Sequence, residues 1–127
     1  VAKAGNLEIW IDLTDAEPDL EPEALEELTS NLAEEISDLV EEARLVRESE
    51  VPESSKPGLG GFILGLLKTE IPFENAKTLL NFLGDRFYGR TLNLEFKANG
   101  REYKLEYHNK QQLEDAIQAI ERLSKLN

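Results

Sequence analysis

Leu7, Ile9, Ile11 and Leu13 alternate with Glu8, Trp10 and Asp12, and this period of two predicts a strand with one buried face. Pro18 and the acids of Asp15–Glu21 break the pattern. Pro22 stands where a helix accepts a first-turn proline, and Glu21, Glu23, Glu26 and Glu27 crowd the positive end of its dipole. Leu25, Leu28, Leu32, Ile36 and Leu39 recur at steps of three and four, which predicts one apolar stripe on a helix reaching Glu42. Ala43–Glu48 (ARLVRE) reads as a second strand, joined to the first by a right-handed parallel crossover.

The stretch from Phe62 to Tyr88 is rich in leucine and phenylalanine and reads as helical. Pro72 removes an amide donor, so two helical segments are expected, Gly61–Lys68 and Pro72–Phe87, with Gly89 as the stop. Thr91–Ala98 and Arg101–His108 flank Asn99-Gly100, the favoured pair for a two-residue type I′ turn. That turn sets Phe96 against Tyr103, Leu94 against Leu105 and Leu92 against Tyr107, with Lys97 facing Glu102 and Glu95 facing Lys104 on the other side. A slip of one residue would destroy both sets of pairs. Asn109 and Gln112 then fit a capping box for a last helix whose stripe is Leu113, Ala116, Ile117, Ile120 and Leu123. The expected order is β-α-β-α-β-β-α. It predicts an α+β two-layer sandwich with helices on one face of a four-stranded mixed sheet.

The 127 residues suffice for one domain, and the 26 acids against 14 bases give a net charge of −12. The imbalance sits in Val1–Ser55, with 17 acids and 3 bases, whereas Lys56–Asn127 has 9 and 11. Glu50–Gly61 (EVPESSKPGLGG) divides them and reads as a flexible loop within a single domain, because neither half has the apolar residues for its own core. The acidity argues against nucleic acid as a partner, and a protein that meets the acidic half is expected to be basic. Without cysteine there is no disulfide frame and no thiol chemistry; one histidine rules out a multi-histidine metal site within the chain. No apolar run approaches the ~20 residues of a membrane span, and no targeting or lipidation motif opens the sequence, so a cytoplasmic location is expected.

Candidate chemistry is sparse. Asp12, Asp15, Glu17, Asp19 and Glu21 lack the central glycine and the spacing of a calcium loop, and read as a solvated acidic loop. His108 has no orienting partner among its neighbours, and Ser54 and Ser55 lie in the loop, so no triad emerges. Gly58-Leu59-Gly60-Gly61 is followed by Phe62-Ile63 instead of Lys-Ser/Thr, so it reads as a hinge (Gly58, Gly60 and Gly61) and not as a phosphate loop. No catalytic residue, cofactor or metal is expected. Trp10 points to the polar side of the first strand, either covered by a neighbour or exposed as an anchor for a partner. Phe62, Ile63, Leu66 and Leu67 would encircle one helical turn, more than a single sheet face can bury, so the turn is either sandwiched within the core or covered by a partner; together with Trp10 they are the candidate partner-binding residues. Such a patch is also expected to drive weak self-association.

The Lys56-Pro57-Gly58-Leu59-Gly60-Gly61 connection, the apolar stretch ending in Leu79-Leu80-Asn81-Phe82-Leu83, and Arg90-Thr91-Leu92-Asn93-Leu94-Glu95-Phe96 before the hairpin form a familiar series. With the acidic first half and closing amphipathic helix, it resembles the effector-associated constant component family of bacterial conflict systems. The resemblance implies a non-enzymatic adaptor that docks a caspase-like or trypsin-like peptidase, with an NTPase sensor as a further partner. The apolar run departs from the family's pattern at Lys68, Glu70 and Pro72, so insertion into a membrane is not expected. A small-molecule-sensing α+β module is the alternative, with the Gly58–Gly61 loop as its clasp; an enzyme built on a carboxylate pair at Asp12 is the third and weakest reading.

Overall fold

The alternating segment at the start of the chain forms strand β1 (Asn6–Asp12), followed by helix α1 (Pro22–Glu35) and strand β2 (Glu42–Arg47). Then come β3 (Phe62–Pro72), α2 (Phe73–Arg86), β4 (Leu92–Ala98), β5 (Arg101–Tyr107) and α3 (Gln111–Ser124). This computed structural model describes residues 6–47, 62–107 and 111–124. The strands form one five-stranded sheet in the order β2-β3-β1-β4-β5, and every neighbouring pair is antiparallel. Strands β1 and β2 run parallel to each other with β3 between them, and β3 and β4 run parallel with β1 between them. Two such interlocked split β-α-β units make a ferredoxin-like core. Strand β5 and helix α3 extend it.

The α+β class and the helices on one side agree with the sequence reading; the strand count, the element order and the mixed sheet do not. The difference lies in Phe62–Lys68, which is not a helix but most of β3. Leu67, Thr69 and Ile71 face inward and pair with Ile11, Ile9 and Leu7, while Leu66, Lys68 and Glu70 face out. Thr69 hides this alternation because its side chain is polar, yet it is 1% exposed and its hydroxyl donates to the Ile9 carbonyl at 3.0 Å. Pro72 does not kink a helix. It closes β3 and caps α2, where its missing N–H costs nothing. Helix α1 also stops at Glu35, short of the expected Glu42. Ile36 remains buried, Leu39 donates its N–H to the Ile36 carbonyl, and Asn75 of α2 holds the Leu39 carbonyl at 3.0 Å. Strand β2 accordingly begins at Glu42 and meets β3 instead of β1, so the parallel crossover does not join adjacent strands. The segment expected to be a flexible loop, 50–61, with the expected hinge glycines Gly58, Gly60 and Gly61, lies outside the described residues, as do His108 and Asn109.

All three helices pack on one sheet face, where Leu7, Ile9, Ile11 and Leu13 of the β1 segment meet Leu25 and Leu32 of α1, Leu79 and Leu83 of α2, and Ala116 and Ile120 of α3. Each fully buried leucine or isoleucine contributes about 1.5–3 kcal/mol by leaving water. The hairpin has the expected register, from Leu92 opposite Tyr107 to Ala98 opposite Arg101. Asn99 and Gly100 both take positive φ, 53° and 77°, and the Phe96 and Tyr103 rings stack with centroids 6.1 Å apart. Gly65 lets β3 bend under α1. Its φ is +75°, its carbonyl receives the Leu13 N–H at 2.8 Å, and a Cβ there would lie 3.0 Å from Thr14 and 3.1 Å from Leu25. Gly65→Ala is therefore expected to destabilise the protein more than Gly100→Ala, which has the same backbone strain but open space. In urea denaturation the second should cost about 1 kcal/mol and the first clearly more.

Tyr107 closes the far end of the hairpin in a pocket that Gly84 keeps open; a Cβ at that position would sit 2.8 Å from the phenol oxygen. Burial, and then the negative charge of Asp85, push the Tyr107 pKa above its ordinary 10.0. The fold thus favours the neutral phenol. Its contribution is complete below pH 10.0 and is lost as pH rises through the higher folded value. The difference in urea midpoint between the wild type and Tyr107→Phe should move in favour of the variant above pH 10.0 and stay constant below it.

Candidate functional site: the open face of the sheet

Opposite the helices, the sheet presents the outward-pointing residues of all five strands, and none of the described helices covers it. Trp10 lies at its centre, because β1 is the middle strand and alternation turns Trp10 away from the core. The ring is half-buried. Lys97 of β4 holds its ammonium 4.3 Å from the ring centroid on one side, and Lys68 of β3 lies 5.6 Å away. Cations over an indole face are attracted by its quadrupole, by about 0.5–1 kcal/mol at exposed sites. The indole N–H donates to the Glu8 carboxylate, whose other oxygen pairs with Lys68 at 3.8 Å. Glu8 therefore fixes both the ring and one of its flanking cations.

Beside the ring runs an open groove of about 270 Å³, lined among others by Trp10, Asp12, Leu66, Glu95, Lys104 and Glu106. Of the five residues singled out as partner-binding, the fold brings Trp10 and Leu66 to this groove. It takes Leu67 away, since Leu67 is fully buried among the helices. Phe62 and Ile63 lie in β3, with side chains outside the described residues. The encircled apolar helix turn is thus replaced by a strand, whose two faces have different destinations. Alternation in β1 and the hairpin register already turn Glu8 and Lys97 outward, but their meeting with Lys68 around the indole carries no local signal. Lys68 meets Trp10 only through the β1–β3 pairing, although the Leu67–Ile71 alternation would have revealed it.

Acids predominate on the face. Glu8, Asp12, Glu42, Glu70, Glu95, Glu102 and Glu106 outnumber Arg44, Lys68, Lys97 and Lys104. Asp12 is engaged in a turn, its Oδ1 accepting from the Thr14 N–H at 2.9 Å and the Thr14 hydroxyl at 2.7 Å. The acidic loop that follows is tied down at several points. Arg90 contacts Glu17 at 2.6 Å and donates to the Ala16 carbonyl at 3.1 Å, and Asn93 donates to Asp15 at 2.7 Å. Asp19 and Glu21 remain exposed, as expected of solvated carboxylates. Among the described residues, no group of three or more His, Asp or Glu side chains is placed to hold a metal ion, and no helix is long and apolar enough to cross a membrane. No protein-family model, curated protein or solved structure matches the chain.

The two faces of β3 make a direct contrast. Leu66→Glu should leave the circular dichroism spectrum and cooperative melting intact, because Leu66 is on the open face. Leu67→Glu should unfold the protein, since a carboxylate at a fully buried position has no partner.

Proposed function

We propose that this chain is a non-enzymatic adaptor that docks an effector protein through the open face of its sheet. The observation that carries this reading is Trp10, set at the centre of the helix-free face between Lys68 and Lys97 and beside the groove. A tryptophan anchored in this way offers a large, pre-ordered apolar surface, and tryptophan is over-represented among the residues that dominate binding energy. The adaptor role is what the resemblance to the effector-associated constant component family implies, with a caspase-like or trypsin-like peptidase as the effector. The docking element proposed from this geometry is the sheet face around Trp10 and Leu66, in place of an apolar helix. A single-stranded RNA platform on such a sheet would use several stacked aromatics and a basic surround, whereas this face has one aromatic at its centre and an excess of acids.

The experiment is co-expression with the proteins encoded by the neighbouring genes, a caspase-like or trypsin-like peptidase being the expected effector. The wild type should co-purify with the effector, and Trp10→Ala and Leu66→Glu should each reduce recovery by roughly tenfold or more while remaining folded. Because Trp10 is the one tryptophan in the sequence, its fluorescence should also change on titration with a tryptophan-free effector fragment. Unchanged recovery of both variants would sink the docking face.

The groove favours a second reading, a small-molecule sensor, because its volume of about 270 Å³ lies near the lower end of ligand pockets. A metabolite screen by thermal shift separates the two, since a ligand of the folded state raises the melting temperature in the absence of any protein partner.

A further inference from the structure

The sheet has two edges, and they differ. The β2–β3 register shifts between Leu45 and Arg47, where β3 carries the extra residues, so the ladder that holds the β2 edge is interrupted. Strand β5 pairs with β4 without interruption through seven residues, contains no proline, and presents its other side as the outer edge of the sheet. The hairpin closes on Ala98 and Arg101 around a two-residue turn, so the odd-numbered residues of β5 exchange hydrogen bonds with β4. Alternation then directs the N–H and C=O groups of Glu102, Lys104 and Glu106 to the outer edge. The Glu106 carbonyl fits this polarity, since it accepts from the Gln112 side chain at 2.7 Å.

We propose that β5 is a self-recognition edge: two copies of this chain pair antiparallel through it, about a two-fold axis at Tyr103, and extend the sheet to ten strands. Charge complementarity selects both the occupant and the register. Arg101, Glu102, Lys104 and Glu106 sum to zero in a chain of net charge −12, so this edge is locally neutral where the molecule as a whole repels its copy. With the axis at Tyr103, Glu102 stands opposite Lys104 of the second copy and the reverse, giving two opposite-charge pairs on the open face. On the helix side, Tyr103, which is 37% exposed in the single chain, meets its own copy. An axis at Lys104 would set Lys104 against Lys104 and Glu102 against Glu106. An axis at Leu105 would pair Lys104 with Glu106, but it needs the Glu106 carbonyl that Gln112 already occupies. The interface is isologous, as a closed dimer requires.

Two measurements on the full chain test this. In sedimentation equilibrium the wild type should show a concentration-dependent dimer. Glu102→Lys and Lys104→Glu should each weaken it by about tenfold, and the double exchange Glu102→Lys/Lys104→Glu should restore it. Bulk repulsion predicts the opposite for Glu102→Lys, which lowers the net negative charge; the double variant leaves net charge unchanged. The second measurement uses the absence of cysteine. Residues facing each other across a non-hydrogen-bonded pair have Cα atoms about 4.5 Å apart, within disulfide reach. Tyr103→Cys should therefore form a covalent dimer on mild oxidation, and Leu105→Cys should not. A wild type monomeric at every concentration overturns the proposal, as does a Glu102→Lys variant that dimerises as well as the wild type. Faster cross-linking at Leu105→Cys overturns the register.

Discussion

Strand β1 is paired on both edges and sealed on one face by three helices, so its seven residues have no freedom to shift. The bonds to β3 and β4 fix its position along the sheet, and the total burial of Leu7, Ile9 and Ile11 fixes which side faces the core. A slip by one residue would expose these side chains and bury Glu8 and Asp12 without partners, at a cost of several kcal/mol for each carboxylate. This constraint places Trp10. An indole at an outward position of the most constrained strand is held rigidly in the middle of the exposed face, where a partner would lose little entropy in engaging it.

The electrostatics of that face depend on the same pairings. Lys68 and Lys97 come from strands on either side of β1, and Glu8 joins them from β1 itself. Although the first half of the sequence is strongly acidic, the indole is framed by two cations from the second half. The sheet alternates β2 and β1 of the first half with β3 and β4 of the second, so that charge segregated along the chain becomes mixed in space. Arg86 of α2 repeats this on the helix layer by pairing with Glu35 of α1 at 3.1 Å. The interdigitation also accounts for a single core, since neither half could complete a sheet alone.

At the periphery, side chains decide how the sheet ends. Arg90 gathers the acidic loop against the entry to β4, and Gly84 opens the space that Tyr107 fills. The outer strands differ, β2 joined to β3 across a register shift and β5 held in a regular ladder whose Glu106 carbonyl, facing the outer edge, accepts from Gln112. A regular charged edge can pair with a partner whose charges run in the complementary order, and reversal of Glu102-Tyr103-Lys104 about its centre supplies that order.

The amino-acid sequence by itself determined the elements whose signals are local. Period two in Leu7–Leu13 specified β1 and the outward aspect of Trp10; Asn99-Gly100 with its flanking pairs specified the whole hairpin; the leucine spacing and Pro22 specified the start of α1. Each of these is enforced by contacts within a few residues or across a two-residue turn. Strand β3 was decided by tertiary structure. Leu64-Gly65-Leu66-Leu67 is apolar on all sides and suits helix and strand alike, and only the vacant place beside β1, with Thr69 bonded to Ile9, makes it a strand. The same holds for the end of α1, where Ile36 and Leu39 continue the helical spacing but burial and the Asn75 bond turn the chain toward β2. The surroundings of Trp10 were likewise set in three dimensions, because Lys68 is 58 positions away in sequence and reaches the indole only through the antiparallel register. Local patterns report on one face or one turn; which strand becomes a neighbour depends on burying all the apolar faces at once, and no short window of sequence contains that condition.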